Sequence, residues 1–336
     1  MSNRDSRHEA LGLTDTQVVA MYEMMQLARR YDERGQLLQR AGKINFHISG
    51  INQEPSQVAM AFAMNTETDW FLPYYRDYGF VLSVGMTVKE LMLSVFAKEE
   101  DPNSAGRQMP GHFGCRRLRI VTGSSPVTTQ VPHAVGLALA AKMRGEPSVS
   151  IVSFGDGSSN QGDFHEGCNF AGVQKLPVIF ICQNNQYAIS VPFSKQSAGR
   201  IADRAIGYGF PGYRVDGNDP LEVYRVVKEA RERAAAGEGP TLIEIMTYRV
   251  TAHSTSDNDL AYRTKEEVDH HRAKDAIPVF RDYLTGLGLW SDDQEGDLKQ
   301  RQRAIIDEAQ TYAEKAPFQS PEDSVRYVYA EEEGGR

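Results

Sequence analysis

The stretch from Gly155 to Tyr187, GDGSSNQGDFHEGCNFAGVQKLPVIFICQNNQY, constrains the fold more than any other part of this chain. An apolar run, Ile151-Val152-Ser153-Phe154, leads into Gly155-Asp156-Gly157, and a second run, Val178 to Cys182, delivers Asn184-Asn185 and Tyr187. The order reads as strand, tight loop, helix, strand, loop. Such a βαβ unit puts both loops at the carboxyl edge of one parallel sheet, which predicts that Asp156 and Asn185 sit side by side. One carboxylate, one amide oxygen and a nearby backbone carbonyl make an incomplete oxygen shell of the kind magnesium accepts while phosphate and water complete it. Gly155 and Gly157 permit a tight turn and close approach to a ligand. The helix that follows presents N-terminal amides to an anion. GDG alone is an ordinary turn after a strand; GDG with NN after this interval and a second apolar run is much more specific.

The flanking pattern predicts more strand–helix alternation. Tyr213-Arg214-Val215 and Thr241 to Tyr248 read as strands, with Asp219-Pro220 as a helix cap between them. This alternation argues for an α/β fold with a doubly wound, mostly parallel sheet flanked by helices. Capping patterns at Thr14–Gln17, Thr87–Glu90 and Thr264–Glu267 predict three further helix starts. The expected division is a flexible N-terminal segment over 1–13, an α/β domain over 14–268, and a helical extension with an acidic tail over 269–336. The charged run Arg29 to Arg34 reads as solvated or subunit-facing surface.

Composition excludes several classes. A net charge of −8 with no basic stripe argues against nucleic acid as a partner. Cys115, Cys168 and Cys182 are scattered with no paired spacing, so thiols in a reducing compartment are expected. No apolar run approaches a membrane span, and the N-terminus lacks the charged-then-apolar pattern of a secretory signal; a bacterial cytoplasm is the simple expectation.

Three other segments hold candidate site residues. Residues 70–80, WFLPYYRDYGF, are rich in aromatics around Arg76. They fit a core corner with one satisfied arginine; beside a diphosphate site, Tyr75 and Arg76 become candidate phosphate or substrate contacts. Residues 98–116 form a long polar loop carrying Arg107, Met109 and His112, either mobile surface or a lid. Residues 249–263 follow the last strand at the carboxyl edge; most of them suit a hydrophilic loop, but His253 is placed to reach a reacting centre and can exchange a proton near neutral pH. His270-His271 has the wrong spacing for a helical metal pair.

Taken together, FLPYYRDYG, GRQMPGHFG, SSPVTTQVPHAVG, GDG…NNQYAIS and YRVTAHSTSDNDLAYR resemble the alpha subunits of thiamine diphosphate-dependent 2-oxo acid dehydrogenases, over about residues 14–330. GRQMP and HSTSD resemble the branched-chain class. The resemblance implies the thiamine diphosphate-binding fold and oxidative decarboxylation of 2-oxoisovalerate and related 2-oxo acids, with acyl transfer to a lipoyl group. It implies magnesium ligation by Asp156, Asn185 and the Tyr187 carbonyl. Cofactor contacts would come from Tyr75, Arg76, Ser125, Val127, Gly155, Gly157, Ala188, Ile189 and His253. Phe46, Tyr75, Met109 and His112 match the pocket for a branched side chain, and Ser124, Pro126, Thr129 and Gln130 match a potassium site of some relatives. His253 matches the histidine that assists acyl transfer. Ser254 matches a serine phosphorylated in mitochondrial relatives, a regulation not expected in a bacterial protein. The implied partners are a beta subunit, giving an α2β2 tetramer, and the lipoyl transacylase core. Gly111, Gln183, Ala252 and Pro55 depart from the usual pattern. A pyruvate or acetoin dehydrogenase is the alternative within the class, and a magnesium phosphohydrolase the alternative outside it.

Overall fold

The computed structural model describes residues 6–326. Five parallel strands form the central sheet: β1 (Trp70–Leu72), β2 (Ser150–Gly155), β3 (Val178–Asn184), β6 (Gly212–Asp216) and β7 (Thr241–Met246), in the order β1-β2-β3-β7-β6. Two short strands, β4 (Tyr187–Ala188) and β5 (Val191–Pro192), make a separate antiparallel ribbon just beyond β3. The register aligns Gly155 with Gln183 and Asn184 with Met246, so β2, β3 and β7 end together at one edge.

Successive strand residues face opposite sides, and both sides are covered. Ile179 and Ile181 join a core with Ile151, Ile243 and Ile245. This core packs under α2 (Asp15–Arg40), α3 (Glu54–Phe62), α4 (Tyr78–Val84), α5 (Val88–Val95) and α9 (Pro220–Ala235). Val178, Phe180 and Cys182 face the other way, with Val152, Phe154 and Leu242, against α6 (Gln130–Arg144) and α7 (Gly162–Gln174). Each fully buried Phe or Ile side chain contributes about 1.5–3 kcal/mol, whereas a helix cap contributes about 1 kcal/mol. The two-sided core therefore decides the architecture, and the caps fix where its helices begin.

The remaining helices are α1 (Arg7–Ala10), α8 (Arg204–Gly207), α10 (Lys265–Arg272), α11 (Ala276–Gly286) and α12 (Asp292–Lys315). The doubly wound reading and the helices opened by Thr14 and Thr87 are present, each with both arms of its capping box. The expected boundary after 268 falls inside α10. The acidic tail from 327 onward lies outside the described residues, as do residues 1–5 of the N-terminal segment.

The corner at 70–80 is as read, opening with the three-residue β1 and burying Arg76 among hydrogen-bond partners. Three local readings need correction. Residues 7–10 are helical and not frayed: His8 is buried between the Tyr283 hydroxyl and Asp15, at 2.8 Å from each. The charged run in α2 is not all surface. Arg29 forms ion pairs with Glu54 and Asp275, and Asp32 is buried, accepting from the Gly50 amide at 2.6 Å and lying 2.9 Å from His47 Nε2. Finally, Thr264 caps α10, but the Glu267 side chain does not close the box; it turns to Tyr187 and Tyr248.

Candidate active site

A cavity of about 460 Å³ opens at the carboxyl edge of β2 and β3. Its lining includes Phe46, Tyr75, Met109, His112, Ser124, Ser125, Val127, Gln130, Gly155, Asp156, Gly157, Asn185, Tyr187, Ala188, Ile189 and His253. The topology thus gathers residues from seven separate segments into one site. Pro126, Thr129 and Arg76 do not line it.

Asp156 leaves β2 at the base of the cavity and is buried. Its carboxylate accepts from Gln196 Nε2 at 2.9 Å. Burial is the largest influence on this carboxyl and raises it above the usual aspartate range, although the Gln196 hydrogen bond, nearby backbone amides and Arg249 favour the charged form. The two loop tips meet, with Asp156, Asn185 and Ala188 together in the cavity lining. Gly157 allows it: a Cβ there would stand 2.6 Å from the Cβ of Ala188. Asn184 and Asn185 divide the work of the second loop. Asn184 points into the protein and donates to Glu244 at 2.7 Å. Asn185 lines the cavity, and its side-chain oxygen accepts from the Tyr187 amide at 3.3 Å. Gln186 and Ile189, on either side of Tyr187, both adopt left-handed φ values, 73° and 52°. Non-glycine residues hold that conformation only where their surroundings impose it.

A divalent cation suits this donor set. Asp156 is a buried carboxylate, an oxygen of neighbouring Gln196 has no hydrogen-bond partner, and the second loop carries an amide and carbonyls. Among the described residues no cluster of three His, Cys, Asp or Glu could hold a metal unaided. A cation here would draw further ligands from phosphate or water, as magnesium does. The phosphohydrolase alternative lacks the additional carboxylates it requires among the described residues.

His253 closes another wall. Its backbone amide donates to Asp257 at 2.8 Å. Arg76 Nη2 lies 3.1 Å from Nδ1 and donates to the His253 carbonyl at 2.9 Å, while Nη1 donates to the Ser49 carbonyl at 2.6 Å. Arg76 thus sits behind His253 and orients it. A guanidinium is only a donor, so Nδ1 accepts and Nε2 carries the ring hydrogen. Burial, followed by the charges of Arg76 and Arg249, lowers His253 to about 4, with Asp257 opposing. At neutral pH the ring is then uncharged, with Nε2–H as a hydrogen-bond donor toward the cavity.

The 98–116 loop is tied down at several points. Asp101 accepts from backbone amides of Asn103, Ser104 and Gly106, and Arg107 donates to the Asp323 carbonyl. Further along, His112 Nδ1 is 2.7 Å from the Met109 carbonyl and Nε2 is 2.8 Å from Ser125 Oγ. The first contact needs an N–H, so Nε2 accepts from the serine. Gly111 between them has φ 90° and lies against Tyr75, where a Cβ would be 3.0 Å from the carbonyl oxygen. In the neighbouring loop Ser124 and Thr129 both donate to the Pro126 carbonyl, at 2.8 and 2.9 Å, while Gln130 turns to the Ser153 carbonyl. Three of the four residues matched to a potassium site are therefore adjacent, and Gln130 lines the same cavity with only its amide nitrogen engaged at Ser153.

Sequence reasoning missed Tyr74, Ile48, Gln196 and Arg249. Tyr74 and Ile48 line the cavity beside predicted residues. Arg249 is buried and donates to the Ile189 carbonyl at 2.6 Å and to the Tyr262 hydroxyl at 2.8 Å; that hydroxyl in turn donates to Asp257 at 2.5 Å. It ties the His253 loop to the Tyr187–Ile189 loop, a link without any local sequence signal.

The profile of the dehydrogenase E1 component family matches residues 22–322. The chain belongs to this family. Among E1 relatives, it is 60% identical over 326 residues to the 2-oxoisovalerate dehydrogenase subunit alpha of Bacillus subtilis, covering 97% of this chain and 99% of the relative. It is 41% identical to a pyruvate dehydrogenase E1 component subunit alpha of Staphylococcus aureus, over 94% of this chain and 83% of that one. The human mitochondrial 2-oxoisovalerate dehydrogenase subunit alpha is 40% identical, over 95% and 72%. The five-stranded parallel sheet with helices on both faces fits E1 membership, as does thiamine diphosphate as cofactor.

Proposed function

We propose that this chain is the alpha subunit of a branched-chain 2-oxo acid dehydrogenase, acting on 2-oxoisovalerate and related acids. The observation that carries the reading is the meeting of the two loops, which brings the buried Asp156 carboxylate and Asn185 into the lining of one cavity from the adjoining ends of β2 and β3. Asp156, the Asn185 side chain and the Tyr187 carbonyl would hold magnesium. Ser125, Val127, Gly155, Gly157, Ala188 and Ile189 would surround the cofactor. Bound there, thiamine diphosphate would supply the electron sink for decarboxylation.

The protein's own part is positioning and electrostatics. His253 offers an Nε2–H donor to a phosphate or substrate oxygen, and Arg76 holds that ring in one orientation. Phe46, Tyr75, Met109 and His112 give the cavity apolar and aromatic surface for a branched side chain. An acyl group formed here would pass to a lipoyl arm of the transacylase core. Potassium would take the Ser124 and Thr129 hydroxyl oxygens, the Pro126 carbonyl and the Gln130 amide oxygen.

The cofactor also needs a surface for its aminopyrimidine, and the beta subunit of an α2β2 tetramer would supply it. Apolar side chains exposed at the cavity, Met109, Val127 and Ile189, suit such a cover. Among the described residues no helix is long and apolar enough to cross a membrane, and we place the complex in a bacterial cytoplasm. The test is turnover of 2-oxoisovalerate and pyruvate by the purified chain and by the co-expressed αβ pair, with thiamine diphosphate and magnesium. The chain alone should be inactive and the pair should favour 2-oxoisovalerate. A preference for pyruvate would reassign the substrate, and turnover by the chain alone would overturn the shared site.

A further inference from the structure

The Tyr187 ring lies behind the cavity wall, in a cluster with Tyr248 and Tyr262. Its hydroxyl donates to Glu267 Oε1 at 2.8 Å, and the Tyr248 hydroxyl donates to the same oxygen at 2.8 Å. Arg249 and Arg263 stack over the Tyr187 ring, at 5.6 and 5.5 Å from its centroid. Glu267 belongs to α10, in the first turn after its Thr264 cap. It forgoes the reciprocal capping bond, and its carboxylate accepts from the two tyrosines instead.

The backbone explains what that contact does. Tyr187 stands between Gln186 and Ile189, both left-handed and neither glycine. A segment in that conformation relaxes unless it is held from outside. Several contacts hold it: Asn185 accepts from the Tyr187 amide, Arg249 donates to the Tyr187 carbonyl at 3.4 Å and to the Ile189 carbonyl, β5 pairs with Tyr187–Ala188, and Glu267 anchors the Tyr187 ring. Only Glu267 acts from beyond the βαβ unit and its neighbouring loops.

We propose that Glu267 is a positioning residue of the metal site, fixing the Tyr187 carbonyl by holding the Tyr187 hydroxyl through α10. This rests on the assignment of that carbonyl as a magnesium ligand. Outer partners that orient a ligand commonly change metal affinity by about 10- to 100-fold. Helix α10 then contributes to cofactor binding without reaching the cavity.

The test uses the assembled αβ complex as wild type, Glu267→Ala, Glu267→Gln, Tyr187→Phe and the double variant Glu267→Ala/Tyr187→Phe. Magnesium is titrated calorimetrically at fixed thiamine diphosphate, and the thermal midpoint is read with and without the metal. Glu267→Ala and Tyr187→Phe should each raise the half-saturating magnesium concentration by about 10-fold or more, and the double variant should be no worse than either. Glu267→Gln keeps an accepting oxygen and should recover most of the loss. Half-saturation within two-fold of wild type in both single variants would overturn the proposal, including when their thermal midpoints fall, because that marks a purely structural contact. Should Glu267→Ala fail to assemble, Tyr187→Phe and Glu267→Gln decide it alone. No binding heat in the wild-type complex would remove the cofactor reading and this inference together, whereas wild-type binding with unaffected variants removes only the inference.

Discussion

Gly157 and Ala188 are in such close contact that a methyl group on Gly157 would overlap that of Ala188, with 2.6 Å between carbon centres. The contact joins the two loops whose meeting defines the site. Alanine at 157 should therefore push the loops apart. Overpacking of this kind costs about 1–3 kcal/mol, or roughly 5- to 150-fold in affinity. Thiamine diphosphate binding to the Gly157→Ala complex, measured by calorimetry at saturating magnesium, should weaken within that range.

Asn184 and Asn185 are adjacent but serve different ends. Asn184→Ala strips a donor from Glu244, which is fully buried. The expected result is a stability loss of about 1–3 kcal/mol, read as a lower urea midpoint. Asn185→Ala should instead abolish magnesium-supported cofactor binding while moving the midpoint much less.

His253 makes stability depend on pH. Its pKa falls from 6.5 to about 4 on folding, through burial and then Arg76 and Arg249. Between those values the unfolded chain binds the proton and the folded one does not, so stability falls as pH drops from about 6.5 toward 4. Urea midpoints at pH 7 and pH 5 should diverge in wild type, and less in His253→Gln.

Asp32 is a buried anchor for the segment bearing Phe46 and Ile48. It accepts from the Gly50 amide and contacts His47, whose carbonyl accepts from the Thr255 amide at 3.2 Å. Removing it in Asp32→Ala leaves buried polar groups without partners, at a cost of about 3 kcal/mol. Gly35→Ala should also destabilise the chain, since its Cβ would lie 2.4 Å from the His47 ring. Both are read by thermal melting, and intact melting in both variants would contradict the anchoring role.

Short-range chemistry made much of this molecule legible. Apolar runs of four to seven residues ending in GDG and NN specify strand and loop locally, so β2, β3 and their meeting point can be read directly. Thr14 and Thr87 reach only three residues ahead, and both helix starts are where the pattern puts them. Legibility fails where a partner is remote. Asp32 sits among charged neighbours in a helix, and its partner His47 lies in a loop beyond that helix. Arg249 and Glu267 join loops that only the finished fold brings together. Glu267 even matches a capping pattern that the structure declines, because two phenol hydroxyls compete for its carboxylate.

Arg76 and Arg249 are both sealed beneath the cavity, and neither is ion-paired with a carboxylate among the described residues. Backbone carbonyls, the His253 ring, the Tyr262 hydroxyl and the faces of Tyr75, Tyr187 and Tyr262 surround them. The fold thus sets two cationic centres beneath the cavity in a poorly screening interior, where a bound polyanion would lie close to both. A ligand of that kind stabilises the folded chain as its occupancy rises, so the cofactor would serve as an architectural element as well as a reagent.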